Sequence, residues 1–302
     1  MRIEIDTTQR KSKYSQSNEE IAISQVFPLI KERHQEALSV VEFGASEGND
    51  YSNLLFLAEQ GVQTIFIESD PVRFVKLIKN TNSYRNVQSI HARVGYGEGD
   101  NLKVILESNN VLTSTVAIVS IDVDGDDAAI FENLSMRPDM VIVEFNPTMS
   151  SDARFRNPPG SNIGNSVGEL LSVGRNLDYF PVCITGTNLI FLSNQYKGLV
   201  EKIIPEEEIL KLQSHIRIGW GFDGTLVMYS PDGSGQIGEI YENWWNGALL
   251  LQPLPKFIRK FKGSKSDRLI IYILLFLNII IFRPNYLLRV LKQFLKRKKS
   301  KI

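Results

Sequence analysis

Cysteine is almost absent from this chain, and histidine is rare. The single cysteine, Cys183, excludes an internal disulfide and fits a reducing compartment. Because Cys183 falls within an apolar segment that is predicted to be a strand, we expect its thiol to lie in the core. The histidines His34, His91 and His215 have no spacing typical of a shared metal site. The sequence therefore disfavours a disulfide-stapled scaffold and a histidine-based metal centre.

Net charge is also lacking, since 34 Lys and Arg residues balance 34 Asp and Glu residues. No global field then favours nucleic acid as a partner. No apolar segment follows Met1, so no signal peptide is predicted, and no internal repeat is detectable. At 302 residues, the chain is expected to hold one main domain with appendages.

The segment from Val40 to Asp50 is the most informative part of the sequence. A short apolar run ends with Glu42 and passes into a loop that contains Gly44 and Gly48. A predicted helix follows over residues 51–59. This β-loop-α pattern is typical of nucleotide-binding sheets, because the glycines allow close approach of a ligand and the helix N-terminus favours polar groups.

A second carboxylate follows the next predicted strand, over residues 64–67. Glu68 lies about 20 residues beyond the glycine loop, where a carboxylate holds ribose hydroxyls. A solvated carboxylate at a strand end is the alternative. The loop departs from the dinucleotide fingerprint G-x-G-x-x-G, because Ser46 stands in place of the middle glycine. An NAD-dependent oxidoreductase is therefore disfavoured.

The loop fits the pattern acidic-x-Gly-Ala-x-x-Gly, and here the chain resembles the class I S-adenosylmethionine-dependent methyltransferases, in particular the FkbM-like group. The family's second strand ends in a Glu that is usually followed directly by Pro, and here Ser69 and Asp70 stand between Glu68 and Pro71. The resemblance implies S-adenosylmethionine as the cofactor, with its ribose held by Glu68. It also implies that the cofactor's methionine part lies over a loop that contains Glu42, Gly44, Ala45, Ser46 and Gly48.

Later strands continue the resemblance, which covers residues 39–194. The β-branched run at 116–121 is typical of a strand buried on both faces and ends in Asp122. A further strand at 139–143 ends in Glu144, and a predicted hairpin turns at residues 185–187. The expected fold is a doubly wound, Rossmann-like α/β sheet with a terminal antiparallel hairpin.

Strand ends at one edge of such a sheet converge, so Asp122 and Glu144 are predicted to share a pocket with the glycine loop. We expect Asp122 to contact the cofactor, and Asp122 or Glu144 to act as the catalytic base. No metal is predicted, although a divalent ion held by Asp122 with Asp124 or Asn146 stays an alternative. Asn157-Pro158-Pro159 resembles an amino-methyltransferase motif, but it does not follow the fourth strand and lacks the closing aromatic residue.

Four segments are predicted along the chain. They are an N-terminal helical lead (1–38), the methyltransferase-like domain (39–197), an aromatic-rich accessory extension (198–262) and a basic, apolar tail (263–302). Pro28 is expected to kink or restart the helix of the lead.

The tail contains an apolar run at 269–282, followed by a basic amphipathic stretch at 286–299. Fourteen helical residues span about 21 Å, which is short of the ~30 Å hydrocarbon core of a bilayer. An interfacial or re-entrant anchor over 269–299, on the cytoplasmic face of a membrane, is therefore predicted. A single span and an oligomerisation helix are the alternatives.

Taken together, these patterns predict a methyltransferase at a membrane surface, and O-methylation of a glycan, a lipid-linked saccharide or a related metabolite. Two other functions stay open. One is a non-catalytic, membrane-tethered Rossmann module that binds a nucleotide or a protein, and the other is an NAD-dependent oxidoreductase. No nucleic-acid partner is expected, and the sequence does not indicate an oligomeric state.

Overall fold

A computed structural model describes Ile5 and residues 12–34, 37–201 and 203–211 of the chain. It also describes the backbone of three short strands between residues 217 and 239, and it includes Ile273 and Leu277. The chain divides into two compact units, Met1–Ile216 and Arg217–Ile302.

In the first unit, helices alternate with strands along the chain. The helices are α1 (Glu19–Arg33), α2 (Leu55–Glu59), α3 (Pro71–Thr81), α4 (Leu102–Ser108), α5 (Asp127–Glu132), α6 (Val167–Asn176) and α7 (Glu206–Ile209). The strands are β1 (Ser39–Phe43), β2 (Gln63–Glu68), β3 (Val87–His91), β4 (Val116–Ile121), β5 (Met140–Glu144), β6 (Tyr179–Ile184) and β7 (Asn188–Ser193). Short 3-10 helices lie at Thr113–Thr115 and Asn194–Leu199.

The seven strands form one mixed sheet in the order β3-β2-β1-β4-β5-β7-β6. The first five strands are parallel, and β7 runs antiparallel to both of its neighbours. The central strand β4 is buried along its whole length, as its β-branched composition predicts. The predicted doubly wound α/β sheet with a terminal antiparallel hairpin is therefore confirmed.

Helices cover both faces of the sheet. Successive residues of a strand point to opposite faces of the sheet. Val40 packs with α1 and α2 on one face, and Val41 packs with α4, α5 and α6 on the other. Leu77 of α3 packs with Leu55 and Phe66 on the same face as α2. Helices therefore cover both faces of the sheet, and a ligand can approach at the ends of the strands.

Two helices differ from the prediction. Helix α2 begins at Leu55 rather than at residue 51, because Tyr51 adopts a left-handed conformation with φ 66°. The Ser52 Oγ then accepts a hydrogen bond from the Leu55 N–H at 3.0 Å, which begins the helix. Helix α1 continues through Pro28 as one helix and does not restart there.

The second unit contains a three-stranded antiparallel sheet in the order β10-β9-β8. Its strands are β8 (Arg217–Trp220), β9 (Leu226–Tyr229) and β10 (Gly238–Glu239). Strand β9 confirms the short strand that was predicted near Tyr229. The predicted membrane tail at 269–299 falls outside the described residues, apart from Ile273 and Leu277. Within the part of the chain that the structure describes, no helix has the length and hydropathy needed to cross a membrane.

Candidate active site

The carboxyl ends of β2, β1, β4 and β5 lie side by side, because these four parallel strands are neighbours in the sheet. This edge, which we call the carboxyl edge, brings together the glycine loop, Glu68, Asp122 and Glu144. These residues contact one another one after the next. Glu68 accepts a hydrogen bond from the glycine loop, the loop packs on Asp122, and Asp122 hydrogen-bonds to Glu144. The sequence-predicted convergence of these residues at one edge is therefore observed.

The glycine loop packs tightly against its neighbours. Gly44 has φ 73°, and a Cβ atom built there would lie 1.5 Å from the backbone oxygen of Asp122. Gly48 has φ 72°, and a Cβ atom there would lie 2.3 Å from the side chain of Leu77 on α3. Both positions need glycine for their backbone angle and for space. Between them, buried Ala45 accepts a hydrogen bond from the Gly48 N–H at 2.9 Å, which closes the turn.

Glu68 ties the glycine loop to the end of β2. Its Oε2 accepts a hydrogen bond from the Ser46 N–H at 2.7 Å, and its Oε1 accepts one from the Asp70 N–H at 2.7 Å. The side chain is 4% exposed, yet each oxygen keeps a second lone pair that can accept from a hydroxyl. Glu68 is therefore held in a fixed position at the carboxyl edge with capacity for a further donor.

Asp70 begins the next helix. Its Oδ1 accepts hydrogen bonds from the Val72 and Arg73 N–H groups, both at 2.8 Å, and so caps α3. The hydrogen bond from the Arg73 N–H, above all, holds the pKa of Asp70 below its usual range. The Ser69-Asp70 insertion, which departs from the family pattern, therefore supplies a helix cap.

Glu42 lies at the same edge, but its carboxylate faces the segment that follows the glycine loop. It accepts hydrogen bonds from the Ser52 hydroxyl at 2.8 Å, the Asn53 N–H at 3.1 Å and the Leu54 N–H at 3.0 Å. Burial raises the pKa of Glu42 to about 7 in spite of these three donors. Glu42 thus acts on the site by positioning the loop.

Three carboxylates gather where β4 and β5 end. One oxygen each of Asp122, Asp124 and Glu144 lies within 4.8 Å of the others. Burial is the main cause that raises the pKa of Asp122 and of Glu144, and the charge of Asp124 adds to both shifts. Asp122 and Glu144 also hydrogen-bond to each other, so the ionisation of either carboxyl group affects the other.

Of the two partners considered for Asp122 in a metal site, Asp124 and Asn146, the structure brings only Asp124 into this acidic group. Asn146 does not join it, because its Oδ1 accepts hydrogen bonds from the Thr148 N–H at 3.0 Å and hydroxyl at 2.6 Å, and its amide donates to the Ile163 carbonyl at 2.7 Å. Asp124 does join it, in a left-handed conformation with φ 59°. Carboxylate oxygens are ligands that hard divalent cations accept, and Asp122 and Glu144 also hydrogen-bond to each other.

The turn after β4 is fixed by Asp127. This buried carboxylate accepts hydrogen bonds from the Val123 N–H at 2.8 Å and the Gly125 N–H at 2.9 Å, and burial raises its pKa to about 7. Asp126 occupies the N-cap position of α5 without a side-chain cap, and instead accepts a hydrogen bond from Asn157 Nδ2 at 3.2 Å. Asp126 therefore does not cap α5 through its side chain, and Asp127 holds the turn that carries Asp122 and Asp124.

The loop between β5 and α6 is tied to that turn. Asn157 Nδ2 also donates to the Ser161 carbonyl at 2.7 Å, and Asn165 Nδ2 donates to the Gly125 carbonyl at 2.7 Å. The side chain of Asn157 is thus used in holding its own loop, which further disfavours a role as an amino-methyltransferase motif.

Two residues beside the acidic group were not singled out from the sequence. Asn188 pairs directly with Glu144 across β5 and β7, so both side chains lie on one face of the sheet. Glu19, fully buried at the start of α1, accepts hydrogen bonds from Asn188 Nδ2 at 3.0 Å and from the Thr185 hydroxyl at 2.5 Å. The register of the hairpin places Asn188 here, and no sequence pattern gives that register.

No family model matches the sequence, and no curated protein matches it. Among solved structures, the CMeT domain of a citrinin polyketide synthase is 14% identical with a TM-score of 0.40, over 58% of this chain and 51% of that one. The N-terminal domain of EvdMO1 with SAH bound is 12% identical with a TM-score of 0.35, over 55% and 78%. TrmK of M. capricolum, in complex with SAH, its natural cofactor product, is 12% identical with a TM-score of 0.37, over 60% and 73%. The match spans only about half the length of the polyketide synthase domain.

Proposed function

We propose that this chain is an S-adenosylmethionine-dependent methyltransferase whose site lies at the carboxyl edge of the sheet. The observation that carries the proposal is the contact between Glu68 and the Ser46 N–H, at 2.7 Å beside the glycine loop. It places a fixed carboxylate with free lone pairs next to a loop that a ligand can approach closely. The ribose hydroxyls of a nucleoside cofactor match that acceptor.

Charge favours a cationic cofactor over a dinucleotide. The Asp122–Glu144 pair, Asp124 and Glu68 make the edge negative, which attracts a sulfonium and repels a pyrophosphate. The Ser46 N–H, which would face a pyrophosphate in a dinucleotide-binding loop, already donates to Glu68. Both features argue for S-adenosylmethionine and against NAD.

The acidic pair supplies the proton chemistry of the proposed reaction. S-adenosylmethionine, when bound, would supply an activated methyl group to the acceptor oxygen, and its sulfur would keep the electron pair of the broken bond. Asp122 and Glu144 take up the proton that the acceptor hydroxyl loses. A raised pKa suits this role, because it makes each carboxylate a stronger base than an exposed one.

The finer assignment is an FkbM-like O-methyltransferase that acts on a glycan, a lipid-linked saccharide or a related metabolite. The motif of Glu42, Gly44, Ala45 and Gly48 supports the group. The basic, apolar sequence at 269–299 supports a location of the proposed enzyme at the cytoplasmic face of a membrane.

The test is transfer of a labelled methyl group from S-adenosylmethionine by the full chain, with lipid-linked saccharides and membrane-extracted glycans as acceptors. We compare wild type with Asp122→Asn, and with Asp178→Asn as a control, because Asp178 is exposed and precedes β6 at the opposite edge. We expect transfer by wild type and the control, and a loss of about a hundredfold or more in Asp122→Asn.

The outcome also separates the alternatives. A folded chain that binds S-adenosylhomocysteine but transfers no methyl group would support the non-catalytic, membrane-tethered module. Equal transfer by Asp122→Asn and wild type would remove Asp122 from the chemistry.

A further inference from the structure

The opposite edge of the sheet holds a cleft that the proposed methyl transfer does not use. Its volume is about 530 Å³, within the range of small-molecule sites. We call it the amino-edge cleft, and the residues that define it here are Arg33, His34, Lys103, Arg137, Asp139 and Gln195. Asp139 precedes β5 and Glu144 ends it, so the cleft and the acidic pair are separated by roughly 16 Å along one strand.

Three elements bring separate cations to this cleft. Arg33 ends α1, Lys103 lies in the first turn of α4, and Arg137 lies in the loop before β5. All three side chains are exposed. Among the residues that the structure describes, Asp139 is the one carboxylate that lines the cleft, and it is buried. The side chains that line the cleft therefore carry a net positive charge.

The hydrogen bonds of the cleft leave that net charge in place. Asp139 is engaged by His34 Nε2 and by Gln195 Nε2, the latter at 2.5 Å. Arg33 donates to the neutral side-chain oxygen of Gln195. Arg33 and Arg137 form no ion pair with a carboxylate among the residues that the structure describes.

The guanidinium of Arg137 contacts neutral acceptors. Its Nη1 donates to the backbone carbonyls of Leu134 at 2.5 Å and Met136 at 3.1 Å, which orient the guanidinium but carry no full negative charge. Lys103 pairs with Glu107 at 3.8 Å along the surface of α4. An exposed pair at that distance adds little, so Lys103 stays available to a ligand.

We propose that the amino-edge cleft binds a phosphate group of a small metabolite or of a lipid headgroup. Guanidinium groups match phosphate oxygens with paired hydrogen bonds, and an ammonium adds a point charge. Hydroxyls of Ser114 and Ser135, which also line the cleft, supply further donors. This binding is independent of the methyl transfer proposed for the carboxyl edge.

The first test is calorimetric titration of the full chain with pyrophosphate. Lys103→Gln and Arg137→Gln are each expected to weaken binding about tenfold. The matched controls Lys79→Gln and Arg85→Gln, which remove exposed cations that do not line the cleft, should bind as wild type does. Binding should also weaken as salt rises. Should Arg137→Gln fail to fold, Arg33→Gln and Lys103→Gln decide the question.

The second arm identifies the source of the phosphate. Wild type and the same variants are sedimented with phosphatidylcholine vesicles that contain phosphatidic acid. A loss confined to the cleft variants assigns a lipid headgroup, whereas pyrophosphate binding without such a loss assigns a soluble phosphate ester. Two results together would overturn the proposal. Pyrophosphate would either not bind or bind equally to the cleft and control variants, and sedimentation with vesicles would not change in the cleft variants.

Discussion

Gly44 lies directly against the backbone oxygen of Asp122, so that a Cβ atom on Gly44 would come within 1.5 Å of it. This contact joins the end of β1 to the end of β4 and sets the glycine loop beside the acidic pair. A side chain at Gly44 has no space, because the obstacle is backbone and cannot turn aside.

Gly44→Ala is therefore expected to be severely destabilising, and Gly61→Ala serves as its control. Gly61 also has positive φ, at 84°, but a Cβ atom there meets nothing within 4 Å. Gly61→Ala should cost about 1 kcal/mol for its backbone angle alone. Gly44→Ala should cost about 3 kcal/mol more, or prevent folding. Urea unfolding measures both, and equal losses would contradict the clash.

Glu19→Ala is expected to lower the free energy of unfolding by about 3 kcal/mol. The substitution leaves Thr185 and Asn188 without the buried carboxylate that accepts their hydrogen bonds. Glu32→Ala, in the exposed last turn of the same helix, is the control and should change stability by no more than about 0.5 kcal/mol. A similar small effect for both variants, measured by chemical unfolding, would show that Glu19 does not secure α1 to the hairpin.

The stability of the chain should depend on pH through Glu42. Burial raises the pKa of Glu42 from its usual 4.5 to about 7, so the folded state binds the proton more tightly than the unfolded state does. Its contribution is then fully present below pH 4.5 and is lost as pH rises through 7. The stability difference between wild type and Glu42→Gln should shrink over that interval. A difference that stays constant, measured by thermal unfolding at several pH values, would mean that Glu42 is not the titrating group.

The pH dependence of methyl transfer should respond to Asp124. Its charge helps to raise the pKa of both Asp122 and Glu144, and a base must lose its proton before it can act. In Asp124→Asn, the rising limb of the rate profile should therefore move to lower pH. Asp152→Asn, an exposed change in the loop after β5, should leave the profile in place. An unmoved limb in Asp124→Asn would show that the pair does not set the rate.

Much of the fold could be predicted from local pattern. The β-branched run at 116–121 and the apolar run before the glycine loop are typical of buried strands, so β4 and β1 were predictable from the sequence. The start of α2 did not, because Tyr51 takes a left-handed angle that its residue type rarely adopts.

Site residues that lie at the ends of strands could be predicted from the sequence. Site residues that are placed by the pairing of distant strands could not. Asp122 and Glu144 each follow an apolar run, so their convergence was expected. Asn188 reaches Glu144 through the hairpin register, and Glu19 is a charged residue whose burial no local pattern indicates. The cations of the amino-edge cleft, Arg33, Lys103 and Arg137, are too far apart in sequence to form a motif.

The most direct test of the central claim is calorimetric titration of the full chain with S-adenosylhomocysteine, beside NAD. Glu68→Gln is the decisive variant, and Glu47→Gln is the control, because Glu47 lies in the same loop but pairs with Lys76 at 2.5 Å. We predict micromolar binding of S-adenosylhomocysteine, no comparable binding of NAD, and a loss of about tenfold or more in Glu68→Gln alone. Absence of binding by the folded wild-type chain, tighter binding of NAD, or equal affinity in Glu68→Gln would contradict the account.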